Sequence, residues 1–127
     1  MNRIKDQVEL YMKPGIAEDG SRMASFRFPP EFIGFQGHFP GKSILPGACQ
    51  LQCLLSLLEN SCGNALALKE IVLAKYISPV LPDQEIRCIL VDTPDLLAGE
   101  FGVRAFIFRG VEKVTEIRVR VATAEAS

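Results

Sequence analysis

The chain has 127 residues, of which 48% are hydrophobic and 23% charged, with a formal net charge of -1. That size and balance predict one globular domain over residues 1–127 with a core of its own, and exclude collagen-like and disordered readings. A pI near 5.8 and the lack of a basic stripe argue against nucleic acid as a partner.

Taken in chain order, Met1-Asn2-Arg3-Ile4-Lys5-Asp6 shows charges with no apolar stretch behind them, so no secretory leader is expected. Residues 4–12 read as a first strand, with Val8, Leu10 and Met12 on one face, and Gly15 to Gly20 read as a turn. Residues 23–28 alternate as a short strand that stops at Pro29-Pro30. Glu31 to Leu45 is a loop rich in Gly, Pro and Phe. A helix follows. Pro46 suits its first turn, residues 47–61 hold no further proline, and Gly63-Asn64 supply the stop. Ala48, Leu51, Leu55 and Leu58 form one stripe, while Cys49, Cys53, Leu54 and Leu57 cover much of the rest. A helix apolar nearly all round is a buried helix.

Four strands are expected after it: Leu68 to Ile77, Glu85 to Val91, Gly99 to Phe108 and Lys113 to Ala122. Short connections favour antiparallel pairing. The fold class is therefore α+β, one antiparallel sheet wrapped around one long central helix. The helix carries more apolar surface than one sheet can cover, which predicts a partner subunit. No apolar run approaches the ~20 residues of a membrane span; Gln50, Gln52 and Ser56 interrupt the densest one. The expectation is a cytoplasmic protein without membrane contact. Cys49, Cys53, Cys62 and Cys88 lack the spacing and histidine support of a metal site, so they read as free thiols and no metal is expected.

The segment that carries chemistry is Gly37-His38-Phe39-Pro40-Gly41-Lys42-Ser43-Ile44-Leu45-Pro46-Gly47. It puts the only histidine in a constrained loop just before a buried helix. Imidazole can act as a base near neutral pH. The Gly47 N–H lies in the first helical turn, where it has no intrahelical partner, and the helix dipole favours negative charge there. The pair suits proton abstraction beside a carbonyl, whose developing oxyanion needs a preorganised donor. Taken singly, a lone histidine is more often structural and a Pro-Gly pair more often a plain turn. Lys42 reads as a solvated loop lysine or as a contact to an acidic partner, and Phe32, Phe35 and Phe39 as core or as a channel lining.

Residues 37–42 and Leu45-Pro46-Gly47, with the spacing between them, resemble the signature of the 3-hydroxyacyl-acyl-carrier-protein dehydratases, hot-dog fold enzymes of fatty-acid synthesis. Lys75-Tyr76-Ile77-Ser78-Pro79-Val80-Leu81-Pro82 resembles that family's second motif, an aromatic residue followed by Pro-Val-x-Pro. The resemblance implies a hot-dog dimer acting on a 3-hydroxyacyl chain held as an acyl-carrier-protein or coenzyme A thioester. It implies no cofactor beyond the pantetheine arm. His38 would take the C2 proton and Gly47 would polarise the thioester carbonyl. Phe39, Pro40, Gly41, Leu45 and Pro46 would flank the substrate.

In that pattern an acid belongs on the central helix of the other subunit, and its position in this sequence falls at Gln52. An amide can hold a hydroxyl but cannot deliver a proton. Glu59 lies two turns on, roughly 10 Å away at 1.5 Å per residue. Four readings of Gln52 follow. It is a satisfied buried polar residue in a chain that has lost the chemistry; or it orients substrate while His38 makes both proton transfers; or the chain is half of a heterodimer whose relative brings the acid; or the reaction is thioester hydrolysis. The family's Gly-Asp after the last proline is Asp83-Gln84 here, which bears on a turn.

Overall fold

The computed structural model describes residues 3–36, 43–91 and 99–124. Its elements in chain order are α1 (Arg3–Leu10), β1 (Lys13–Ile16), β2 (Arg22–Arg27), a 3-10 turn (Ile33–Phe35), α2 (Gly47–Cys62), β3 (Leu66–Tyr76), β4 (Glu85–Leu90), β5 (Glu100–Arg109) and β6 (Glu112–Thr123). The strands form one six-stranded sheet in the order β1-β2-β4-β5-β6-β3, antiparallel at every pairing. This is the α+β arrangement expected of a hot-dog fold.

The sheet buries the face that alternation marks. Phe101, Val103, Ala105 and Ile107 of β5 point inward, as do Ile117, Val119 and Val121 of β6, whereas Arg118 and Arg120 face solvent. Opposite them α2 buries Cys49, Cys53, Leu54, Leu57 and Leu58. The helix starts with Pro46 in an extended conformation as its N-cap and ends at Gly63, whose φ of 75° is the left-handed form that glycine adopts without cost.

Two expectations near the N-terminus are corrected. Residues 3–10 form a helix, not a strand. The spacing Ile4, Val8, Tyr11 places one face on the core, with Val8 fully buried, whereas Leu10 is 72% exposed. The segment read as a turn from Gly15 opens with paired backbone, since Lys13–Ile16 is an edge strand and only Ala17–Gly20 turns. α1 packs on α2 and so covers helix surface that a sheet could not reach. The large exposed apolar area lies elsewhere, on edge strand β3, where Leu68, Ile71, Val72, Leu73 and Tyr76 are each between 38% and 51% exposed.

An aromatic cluster supports the chain that leads from β2 toward α2. Phe32 meets Phe28 at 4.4 Å between ring centroids, Phe35 edge-on at 5.8 Å and Tyr11 edge-on at 6.0 Å. Phe32 and Phe35 are thus core residues. Gly34 has to be glycine, because a Cβ there would fall 2.4 Å from Phe32 Cε2 and 2.8 Å from Cys49 Sγ.

Burial pushes the Cys49 thiol up to about 11, the Cys88 thiol to about 12, and Cys53 well above its ordinary range. Deprotonating them therefore costs more in the folded than in the unfolded chain. Their contribution to stability is complete below the ordinary value of 9.0 and is lost as pH rises through 11 and 12. The melting temperature should fall steadily above about pH 9. At pH 8 iodoacetamide should label the half-buried Cys62 and leave the three buried thiols unmodified by intact mass, and three or four adducts on folded protein would contradict this burial.

Candidate functional site

His38, Phe39, Pro40, Gly41 and Lys42 lie outside the described residues. The remainder of both motifs comes together. Leu45 N–H donates to Val80 O at 2.8 Å, so the end of the first motif is bonded to the middle of the second. Arg109 holds the second motif from beneath: its guanidinium donates to Pro79 O at 2.6 Å, Ser78 Oγ at 3.0 Å and Gln84 Oε1 at 3.1 Å. The turn that ends the motif forms without the family's glycine. Asp83 takes the left-handed conformation at φ 64°, which aspartate tolerates better than most side chains, and its N–H donates to Phe28 O.

At the start of α2, Pro46 O accepts from the amides of Cys49 and Gln50. Among the described residues Gly47 N–H has no acceptor, which is the donor the sequence places there. Tyr76 covers this glycine so closely that a Cβ on Gly47 would fall 2.6 Å from the ring's Cζ and Oη. Partial desolvation of the half-exposed Tyr76 ring raises its phenol above the ordinary value. Gly47, Tyr76, Ile44, Pro46, Ile77 and Ser78 border a cleft of about 360 Å³. Leu45, almost fully buried, also lines it. Gln50 also lines it; its amide donates to Leu45 O at 3.3 Å and its oxygen accepts a very short bond from Thr115 Oγ1.

Gln52 is on the next turn of α2 and retains only 9% of its surface. Its Nε2 donates to Ser56 Oγ at 2.9 Å, and Ser56 Oγ donates to Glu9 Oε2 of α1 at 2.7 Å. Glu59, the one acid on the same helix, is occupied: it meets Lys5 Nζ at 3.0 Å and accepts Leu66 N–H at 2.7 Å. The bond from Glu59 and the nearby charges of Glu59, Glu9 and Asp6 hold the Lys5 ammonium above its usual range against the opposing effect of burial. Three site-side residues, Glu9, Ser56 and Gln50, were not singled out by the sequence. For Ser56 the signal was its place one turn beyond Gln52; for Glu9 there was none while its segment read as a strand.

An antiparallel sheet folded round one long helix is the arrangement of a hot-dog protein. The chain belongs to the ApeI-like dehydratase family, whose model matches residues 16–98. Solved structures of the same fold are distant in sequence. The dehydratase heterocomplex ApeI:P of Xenorhabdus doucetiae is 17% identical, with 80% of this chain and 87% of that one covered at a TM-score of 0.65. An uncharacterized protein of Pyrococcus horikoshii is 14% identical, covering 91% and 85% at 0.70. The PaaI protein of the E. coli phenylacetic acid degradation operon is 10% identical, covering 94% and 88% at 0.65. No curated protein matches the sequence. Among the described residues no helix is long and apolar enough to cross a membrane.

Proposed function

We propose that the chain binds 3-hydroxyacyl thioesters of an acyl-carrier protein or coenzyme A and takes part in their dehydration. The observation that carries this reading is the junction of the two motifs, Leu45 N–H on Val80 O, which brings the Gly47 amide, without an acceptor among the described residues, and the Tyr76 ring to one cleft mouth. In the reaction His38 removes the C2 proton and the thioester oxygen gathers charge against Gly47 N–H. The C3–O bond then breaks, and the leaving hydroxide takes a proton to become water. Gln52 has none to give. Either the imidazolium of His38 returns the proton it took, or a carboxyl from a partner subunit supplies it.

The second route has its own support. Gln52 is already bonded within this chain, Glu59 is engaged by Lys5 and Leu66, and the dehydratase of similar fold from Xenorhabdus doucetiae is a heterocomplex. On that reading this chain contributes His38 and the amide donor, and a related hot-dog chain contributes the acid. β3, an open edge with apolar side chains, is the surface where such a chain would pair.

The test follows enoyl absorbance with a medium-chain 3-hydroxyacyl/enoyl carrier-protein pair, for the chain alone and co-purified with a hot-dog dehydratase that retains the helix acid. The chain alone should be slow, the pair faster by about 10²-fold or more, and His38→Ala should silence both. Release of free thiol without change at the enoyl band would mean hydrolysis. Absence of turnover in both preparations would overturn the dehydratase reading.

A further inference from the structure

Three polar side chains from two helices form a chain with only one consistent direction. An ionised carboxylate accepts hydrogen bonds and donates none. Glu9 therefore takes the single hydroxyl hydrogen of Ser56, over 2.7 Å. With its hydrogen committed, Ser56 Oγ can only accept from position 52, and what it accepts over 2.9 Å is the Nε2–H of Gln52. That settles which way round the amide sits, a choice an isolated glutamine leaves open. Ser56 itself is only 1% exposed, which limits competition from water at its hydroxyl. The carbonyl oxygen of Gln52 is left over, and among the described residues nothing donates to it.

We infer that Glu9 and Ser56 are positioning residues that fix the Gln52 amide with its oxygen free, so that position 52 recognises a ligand hydroxyl as a hydrogen-bond donor. The inference rests on the acyl-thioester reading above and adds what it leaves open, the part of the acyl chain that Gln52 senses. A 3-hydroxyacyl group has an O–H to offer that oxygen; the saturated acyl group has none. The arrangement also differs in kind from a general acid. It holds the hydroxyl by its hydrogen and keeps the oxygen's lone pairs available to a proton brought from elsewhere, by His38 or by a partner subunit.

The experiment measures binding of two pantetheine amide analogues, 3-hydroxyoctanoyl and octanoyl, by calorimetry to the full chain in its native assembly. The wild type should prefer the hydroxy analogue by about fivefold, the usual net effect of one hydrogen bond. Ser56→Ala should reduce that ratio to about one with octanoyl affinity retained, and Ser56→Thr, which keeps the hydroxyl, should restore it. A loss of packing alone would weaken both analogues together. Glu9→Ala, at a half-buried position, provides the same comparison if Ser56→Ala does not fold. A preference that survives in folded Ser56→Ala or Glu9→Ala overturns the inference, as does equal binding of both analogues by wild type, which leaves the acyl-thioester reading in place. If neither analogue binds wild type, that underlying reading fails and the inference with it.

Discussion

Gln52→Glu should raise the dehydration rate of the chain by about 10²-fold or more, within the range a positioned general acid contributes. The reason lies in what surrounds position 52. A carboxyl there would be nearly buried and one serine away from the Glu9 carboxylate. Burial and a neighbouring negative charge both favour the neutral form, which is the form that can protonate a leaving hydroxyl. The same shift has a stability cost with a definite sign. A carboxyl whose folded pKa is raised stabilises below its unfolded value of about 4.3 and loses that contribution as pH rises. The variant should therefore melt closer to wild type at pH 5 than at pH 8. Enoyl absorbance for wild type, Gln52→Glu and Gln52→Glu with His38→Ala checks the activity, and the double variant should be silent. A folded Gln52→Glu protein as slow as wild type would show that a missing acid is not what limits the chain.

Phe32→Ala should cost about 3–5 kcal/mol, the usual range for deleting a buried aromatic ring, out of a total near 5–15 kcal/mol. Phe32 has 1% of its surface exposed and is the ring that Tyr11, Phe28 and Phe35 all touch. Those three come from the end of α1, the strand exit and the 3-10 turn. The cavity would open where separate segments meet, which limits how far any one of them can relax into it. Urea unfolding followed by circular dichroism should show a lower midpoint with an unchanged slope. A shift worth under 1 kcal/mol would mean that the cluster closes over the gap.

The legible parts of this chain were those in which one physical signal dominated. α2 had a proline just before it, a glycine just after it and no proline among its sixteen residues, and tertiary packing agreed with those local signals. The alternation of Phe101, Val103, Ala105 and Ile107 could only be a strand with one buried face. Residues 3–10 carried two periods at once. Val8, Leu10 and Met12 satisfied period two, while Ile4, Val8 and Tyr11 satisfied the helical one; the face of α2 left uncovered by the sheet decided between them. Gly15 and Ile16 read as the start of a turn running to Gly20, yet an edge strand tolerates Pro14 and Gly15 when its partner pairs on one side only. At the candidate site, the Gly47 amide was placed by its position in the first helical turn, and Gln52 only by the resemblance. The Ser56–Glu9 contact spans 47 positions and depends on α1 being a helix, so no local pattern could announce it. Tyr76 was readable as an aromatic of the second motif, but its seat on Gly47 follows from the path of β3.

The two margins of the sheet differ in a way that limits growth. β1 is four residues long and includes Lys13 and Pro14, whereas β3 runs eleven residues at the opposite margin. A short margin bearing lysine and proline is a poor template for another strand, while a long apolar one invites it. Joining two such molecules through their long margins would use up both and leave only the blunt ones outward. Association of that kind is self-terminating: it stops at a pair and cannot propagate into a fibre.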